Sequence, residues 1–232
     1  ALERGGRLEM LKVKGLDNAD LGSAPQSATY DIEWVTIPEP DADPERLTTP
    51  RFGLAQTLSI GGLPDIFGAG KSGPYMQGEA GGAASFRRPE GCWYDAGRVF
   101  FTDTTGGAGR FGNLWSLELS SGGDADRLEC VFSSPGELYA DRLDNVCVSP
   151  NGGVVLCEDG RGQRGPEGFV HGNRLIGLSQ EGVAFPLVES NAIIDTAVPG
   201  RPWISARDYR DQEFAGACFS PTGDVLFGNI QT

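Results

Sequence analysis

Apolar and β-branched residues fall in short runs along this chain, and three stretches repeat one pattern: a β-favouring run, a tight turn, and a second β-favouring run. They are residues 89–103, 144–159 and 215–229, with turns Asp95-Ala96-Gly97, Pro150-Asn151-Gly152-Gly153 and Pro221-Thr222-Gly223-Asp224. Gly and Asn supply the positive φ that such turns demand, so each copy predicts a hairpin. The first two copies continue into a third strand at matching places, residues 112–119 and 172–178, both beginning Gly-Asn. Recurring strand units at intervals of some tens of residues read as blades of a β-propeller.

Residues 6–13 read as a third strand with no partners before it, residues 30–37 as a further strand, and Thr232 follows shortly after a second strand. The expectation is an all-β chain forming part of a β-propeller with long inserted loops. Residues 1–232 are taken as one propeller-domain fragment, with two complete blades over about 86–198 and partial blades at both ends. A long irregular segment is expected at about 38–85, and a second insertion, residues 161–168, between the second and third strands of the middle blade. The stretch Gly68-Ala69-Gly70-Lys71-Ser72 lacks the spacing and the flanking strand and helix of a phosphate loop, which excludes nucleotide binding there.

The 35 glycines and 15 prolines among 232 residues suit many short strands and turns. A formal net charge of −13 argues against a nucleic-acid partner, since no basic stripe exists to release counterions. No apolar run is long enough to span a bilayer, so no membrane partner is expected. The five cysteines occupy strand positions without zinc-site spacing and are read as reduced, buried small hydrophobes. One histidine, His171, in an expected loop, leaves neither a Ser-His-Asp triad nor a multi-histidine zinc site easy to assemble.

Residues placed alike in successive propeller blades converge on one axis. Glu90 and Asp144 open innermost strands, Glu213 precedes the third copy by two residues, and Glu158 and Asp159 end a second strand where Asp103 and Asn229 end theirs. Carboxylates gathered at one mouth repel each other unless a cation holds them, and an all-oxygen donor set favours calcium or magnesium. Capping of turns is the plainer reading for Asp103, Asp159 and Asn229. Arg88 lies two residues before Glu90, on the same face of an extended strand, where a guanidinium could clamp a phosphate. A simple salt bridge to Glu90 is the alternative.

Phe86-Arg87-Arg88-Pro89-Glu90-Gly91, Leu143-Asp144-Asn145-Val146, Leu156-Cys157-Glu158-Asp159-Gly160, Glu213-Phe214-Ala215-Gly216, Phe219-Ser220-Pro221 and Asn229-Ile230-Gln231-Thr232 resemble signature stretches of the PhoX-type alkaline phosphatases. The opening residues 2–13 fit the same family. The resemblance implies a six-bladed propeller whose axial site holds calcium and iron and hydrolyses phosphate monoesters. It implies Arg88 as the phosphate-binding residue and Glu90, Asp144, Glu158 and Glu213 as calcium ligands, with the main iron ligands outside this chain. It also implies twin-arginine export to the periplasm or beyond, and a monomer is expected. Two other readings remain open: a calcium-dependent lactonase or esterase on the same frame, and a non-catalytic propeller that serves as a binding scaffold.

Overall fold

The computed structural model describes residues 2–4, 7–41, 73–121 and 124–231, which group into two compact units: 1–20 with 30–85, and 21–29 with 86–232. The rejected phosphate-loop stretch at 68–72 lies outside the described residues.

In the first unit β1 (Leu2–Arg4), β2 (Arg7–Val13) and β3 (Thr29–Thr36) pair antiparallel. The strand at the start of the chain therefore does have a partner before it, too short to register as an apolar run. The segment expected to be irregular contains helix α1 (Gly73–Ala80). The Gln77 amide fixes this helix by accepting from the Glu39 backbone N–H at 2.9 Å and donating to the Glu39 carbonyl at 2.6 Å. Glycines disguised the helix in the sequence. Gly78 and Gly81 stand where a Cβ would strike Met10 of β2 and Val35 of β3, so close approach to the strands, rather than helix propensity, sets those positions.

The second unit opens with a four-stranded antiparallel meander: β4 (Pro89–Asp95), β5 (Arg98–Asp103), β6 (Asn113–Glu118) and β7 (Asp126–Ser133). Its first turn, Ala96-Gly97, has φ of 46° and 87°, the doubly left-handed geometry whose twist suits a two-residue hairpin. A second four-stranded sheet follows in the same order: β8 (Leu143–Val148), β9 (Val154–Glu158), then, after an inserted hairpin of β10 (Gln163–Gly165) and β11 (Gly168–His171), β12 (Arg174–Leu178) and β13 (Ala184–Glu189). The inserted residues are thus a hairpin, and His171 closes its second strand. Two short strands, β14 (Ile193–Ile194) and β15 (Arg207–Asp208), lead to the hairpin of β16 (Phe214–Phe219) and β17 (Leu226–Ile230).

The innermost strands lie side by side in the order β4, β8, β16. One core fills the space between the first two sheets, with Leu114, Phe132, Leu143, Val146, Leu156 and Ile176 almost fully buried. A second core, around Cys147, Val155, Cys157, Leu175 and Phe214, joins the middle sheet to the third hairpin. Each sheet therefore buries a face against its neighbour in the chain. The arrangement is nearly all β and consistent with part of a β-propeller. All five cysteines are free, but only Cys130, Cys147 and Cys157 are buried. Cys92 is exposed and Cys218 half-buried, which corrects the reading of all five as core residues. No described helix is long and apolar enough to cross a membrane.

Candidate active site

The three innermost strands begin in the same way. In each, the pairing with the second strand slips near its start, between Pro89 and Cys92, between Leu143 and Asn145, and between Ala215 and Cys218. Just ahead of each slip one residue is held by its carbonyl. Thr104 N–H donates to Arg88 at 2.9 Å, Asp159 N–H to Arg142 at 2.8 Å, and Gln231 N–H to Glu213 at 2.9 Å. Arg88, Arg142 and Glu213 are therefore equivalent stations of three successive repeats.

Buried Asp103 fixes the first station from behind. Its carboxylate accepts from the Arg88 backbone N–H at 2.6 Å and from that of Arg87 at 3.1 Å, so it holds the chain ahead of β4 rather than capping a local turn. The half-exposed Arg88 side chain meets three carboxylates: Nε lies 3.0 Å from Glu90 Oε1, and Nη2 lies 3.2 Å from Asp159 Oδ2 and 3.6 Å from Asp144 Oδ1. Glu90 and Asp144 come together because β4 and β8 almost touch. Thr102, wholly buried, accepts from the Gly91 N–H at 2.9 Å and donates to the Asp144 carbonyl at 2.7 Å, tying β4, β5 and β8 at one point. Gly91 is required there, because a Cβ would sit 2.6 Å from Asn145 Cα and 2.8 Å from the Asp144 carbonyl.

Asp144 and Glu213 hydrogen-bond to each other across β8 and β16. Burial, then the Asp144 carboxylate, pushes the Glu213 carboxyl up to about 7. Burial also raises Asp144, with the charges of Glu90 and Asp159 adding to it. With its amide nitrogen turned inward, Gln231 donates to both Glu213 oxygens, at 2.7 and 3.2 Å.

Glu158 stands apart from this cluster. Its carboxylate is buried and taken up by Arg174, with Oε1 accepting from Nη2 at 2.6 Å and Oε2 from Nε at 3.0 Å, while the backbone N–H groups of Asp141 and Arg174 each donate to it at 2.8 Å. The next residue, Asp159, reaches Arg88 instead. A one-residue step at a strand end reverses the side chain, and at this point the sequence alone favours neither acid. His171, the single histidine, contributes nothing to the cluster: its Nδ1 lies 2.8 Å from the Gly172 carbonyl.

Beside Asp159 and Glu213 the surface opens into a cleft of about 470 Å3, lined also by Arg142, Arg161, Asp211 and Gln231. Neither cleft arginine was singled out by the sequence reading. The signal for Arg142 was present: Arg142-Leu143-Asp144 repeats the Arg-x-acid order of Arg88-Pro89-Glu90.

The family model described as alkaline phosphatase PhoX matches residues 1–232. The chain belongs to the PhoX alkaline phosphatase family. No curated protein and no solved structure matches it. PhoX proteins are in general metal-dependent. Among the described residues no three Asp, Glu, His or Cys side chains converge tightly enough to form a metal site by themselves. In donor chemistry, however, the cluster suits a hard cation: Glu90, Asp144, Asp159 and Glu213 offer only oxygen, and burial together with the neighbouring carboxylates raises Asp144 and Glu213, a cost that a cation would relieve. The four acids do not discriminate iron from other hard cations, and the iron expected from the resemblance has its main ligands outside this chain.

Proposed function

We propose that this protein hydrolyses phosphate monoesters in a calcium-dependent reaction at the cluster built on Arg88. The observation that carries the reading is the placing of one half-exposed guanidinium against the carboxylates of Glu90, Asp144 and Asp159, inside a chain of the PhoX family. The residues that would hold calcium are Glu90, Asp144, Asp159 and Glu213, with Asp159 in place of Glu158. A bound calcium ion would supply positive charge to polarise the phosphoryl oxygens.

Arg88 carries the binding step. Its fork matches two phosphoryl oxygens, and exchanging the carboxylate at Nη2 for a phosphate leaves Nε on Glu90, which keeps the guanidinium aimed. Negative charge developing on the phosphoryl group is then met by a cation already in place. Glu213 keeps its proton up to about pH 7, with Asp144 accepting it, so the site reaches its full negative charge only above that pH. Propeller geometry accounts for the convergence: the stations at 88, 142 and 213 come from three repeats yet face one region. On the same reading residues 86–198 are two complete blades, and the protein works outside the cytoplasm, as its family generally does.

The test is hydrolysis of 4-nitrophenyl phosphate by the full-length protein, before and after chelation and with calcium restored. Arg88→Ala should lower kcat by about 10^2-fold or more, the scale for removing one charge-stabilising donor, with an unchanged circular dichroism spectrum. Hydrolysis of lactones but not of aryl phosphates would move the reaction class to the esterase reading. Arg88→Ala with unaltered turnover would remove Arg88 from the site.

A further inference from the structure

The cleft beside the cluster carries two guanidinium groups that make no ion pair among the described residues. All three of its carboxylates are engaged: Asp159 with Arg88 at 3.2 Å, Asp211 with Arg164 at 3.3 Å, and Glu213 with Asp144 and Gln231. Arg142 and Arg161 line the same cleft, and neither guanidinium has a hydrogen-bond or ion-pair partner among the described residues. Asp141, whose carboxyl is raised by burial and lowered by the Arg142 charge, makes no ion pair with it.

Both arginines are held by their backbones. Arg142 has φ 52°, a left-handed conformation uncommon outside glycine, Asn and Asp, and is clamped there by its N–H to the Phe111 carbonyl at 2.7 Å and by its carbonyl to Asp159 N–H at 2.8 Å. Such a conformation costs about 1 kcal/mol or more and persists where surrounding structure imposes it, often at ligand sites. Arg161 sits between two glycines that cannot be replaced. A Cβ on Gly160 would strike the Asp141 carboxylate, and Gly162, at φ 62°, would bring one to 2.6 Å from the His171 carbonyl. Buried Asn173 grips both flanks, donating to the Gly160 carbonyl at 3.0 Å and accepting from Gly162 N–H at 3.2 Å. The same amide donates to the Gln212 carbonyl at 3.0 Å, fixing the opposite wall.

We propose that Arg142 and Arg161 form a second anion subsite, which takes a carboxylate or second phosphate on the alcohol half of the phosphate monoester. The assignment to the alcohol half rests on the phosphatase reading; the anion subsite itself does not. Asp159 and Glu213 belong to both the Arg88 cluster and the cleft, so the surface next to a phosphoryl group at Arg88 already includes these cations. Arg142 occupies in the second repeat the station that Arg88 occupies in the first. In a chain of net charge −13, a preference for more highly charged anions has to come from a local arrangement of this kind.

The experiment is calorimetric binding to the full-length protein, at fixed calcium, of propylphosphonate, 3-phosphonopropionate and propane-1,3-bisphosphonate. The first two differ in one methyl replaced by carboxylate, and the third adds a second phosphate-like group. Wild-type protein should bind at least one of the two probes with a second anionic group about tenfold or more tightly than propylphosphonate, and which one identifies the second anion. Arg142→Asn, which tolerates the left-handed backbone, and Arg161→Gln should each compress that ratio toward one, whereas Arg161→Lys should keep part of it. Arg98→Gln, at the exposed start of β5, should leave the ratio unchanged. Equal affinity for all three probes, or a ratio that survives in the Arg142→Asn, Arg161→Gln double variant, overturns the subsite. Hydrolysis of 4-nitrophenyl phosphate by the same wild-type preparation separates the two claims. A probe preference without hydrolysis sinks the phosphatase reading and leaves the subsite standing.

Discussion

Removing Arg174 should cost the protein about 3–5 kcal/mol, the scale for leaving a buried charge without its partner. Glu158 and Arg174 side chains are 1% and 6% exposed, and the guanidinium makes both side-chain contacts that neutralise the carboxylate. Its other two bonds, to the carbonyls of Leu138 and Glu137 at 3.0 and 2.8 Å, serve exposed residues where water can substitute, so they add little. Arg174→Met should lower the urea midpoint by roughly 1–2 M at a slope of about 3 kcal/mol/M. Glu158→Leu combined with Arg174→Met should recover most of the loss, because an apolar pair has no charge to strand. The pH dependence has a defined sign. Burial raises the Glu158 carboxyl by more than Arg174 and the backbone donors lower it, so the folded state holds this proton more tightly than the unfolded chain. That contribution is complete below the ordinary carboxylate range and is lost as pH rises through the folded value. Without Arg174 the shift grows, and the deficit of the variant should shrink as pH falls from 8 to 5. An Arg174→Met cost below about 1 kcal/mol, or a double variant no better than the single, would refute the reasoning.

Gly91→Ala should destabilise by about 1–3 kcal/mol, the range for overpacking, since the atoms it meets are backbone of β8 and cannot swing aside. Because those atoms carry Asp144, turnover should fall along with the melting temperature; normal values of both would sink the argument. Thiol labelling at pH 8 should modify exposed Cys92 first, Cys218 more slowly, and Cys130, Cys147 and Cys157 only on unfolding. Burial pushes the first two of those buried thiols up to about 12 and the third to about 11. The stability they lend is complete below the ordinary thiol value near 9 and falls as pH rises toward 11 and 12, which alkaline unfolding curves would report. Rapid labelling of four or five thiols in the native protein would contradict this.

The hairpins were legible because their turns are chemically explicit: Ala96-Gly97 and the two Ser-Pro-x-Gly turns, where Gly152 and Gly223 each donate to a Ser carbonyl at 2.8 and 2.9 Å. The outer strands were harder to assign. β13 reads Ala-Phe-Pro-Leu-Val-Glu, and its proline is tolerated at a sheet margin but argues against a strand when read alone. Arg88, Glu90, Asp144 and Glu213 could be found in the sequence because they stand at repeat openings. The choice between Glu158 and Asp159 depended on which of two adjacent side chains turned inward, which local spacing does not encode. Arg161 gave no signal at all. Its position comes from Asn173, twelve residues on, and from two glycines that look like ordinary loop residues until their neighbours are known.

The slipped pairing at the head of β4, β8 and β16 also bears on how this protein could change. Within a regular ladder every side chain is committed to one face, and altering it disturbs the packing behind. Ahead of each slip that commitment is released: position 88 carries Arg, 142 carries Arg and 213 carries Glu, on otherwise similar strands. Exchanging the occupants of 88 and 213 would rewrite the charge of the mouth while leaving the blades beneath it as they are, whereas 142, at φ 52°, accepts only a residue that tolerates the left-handed backbone.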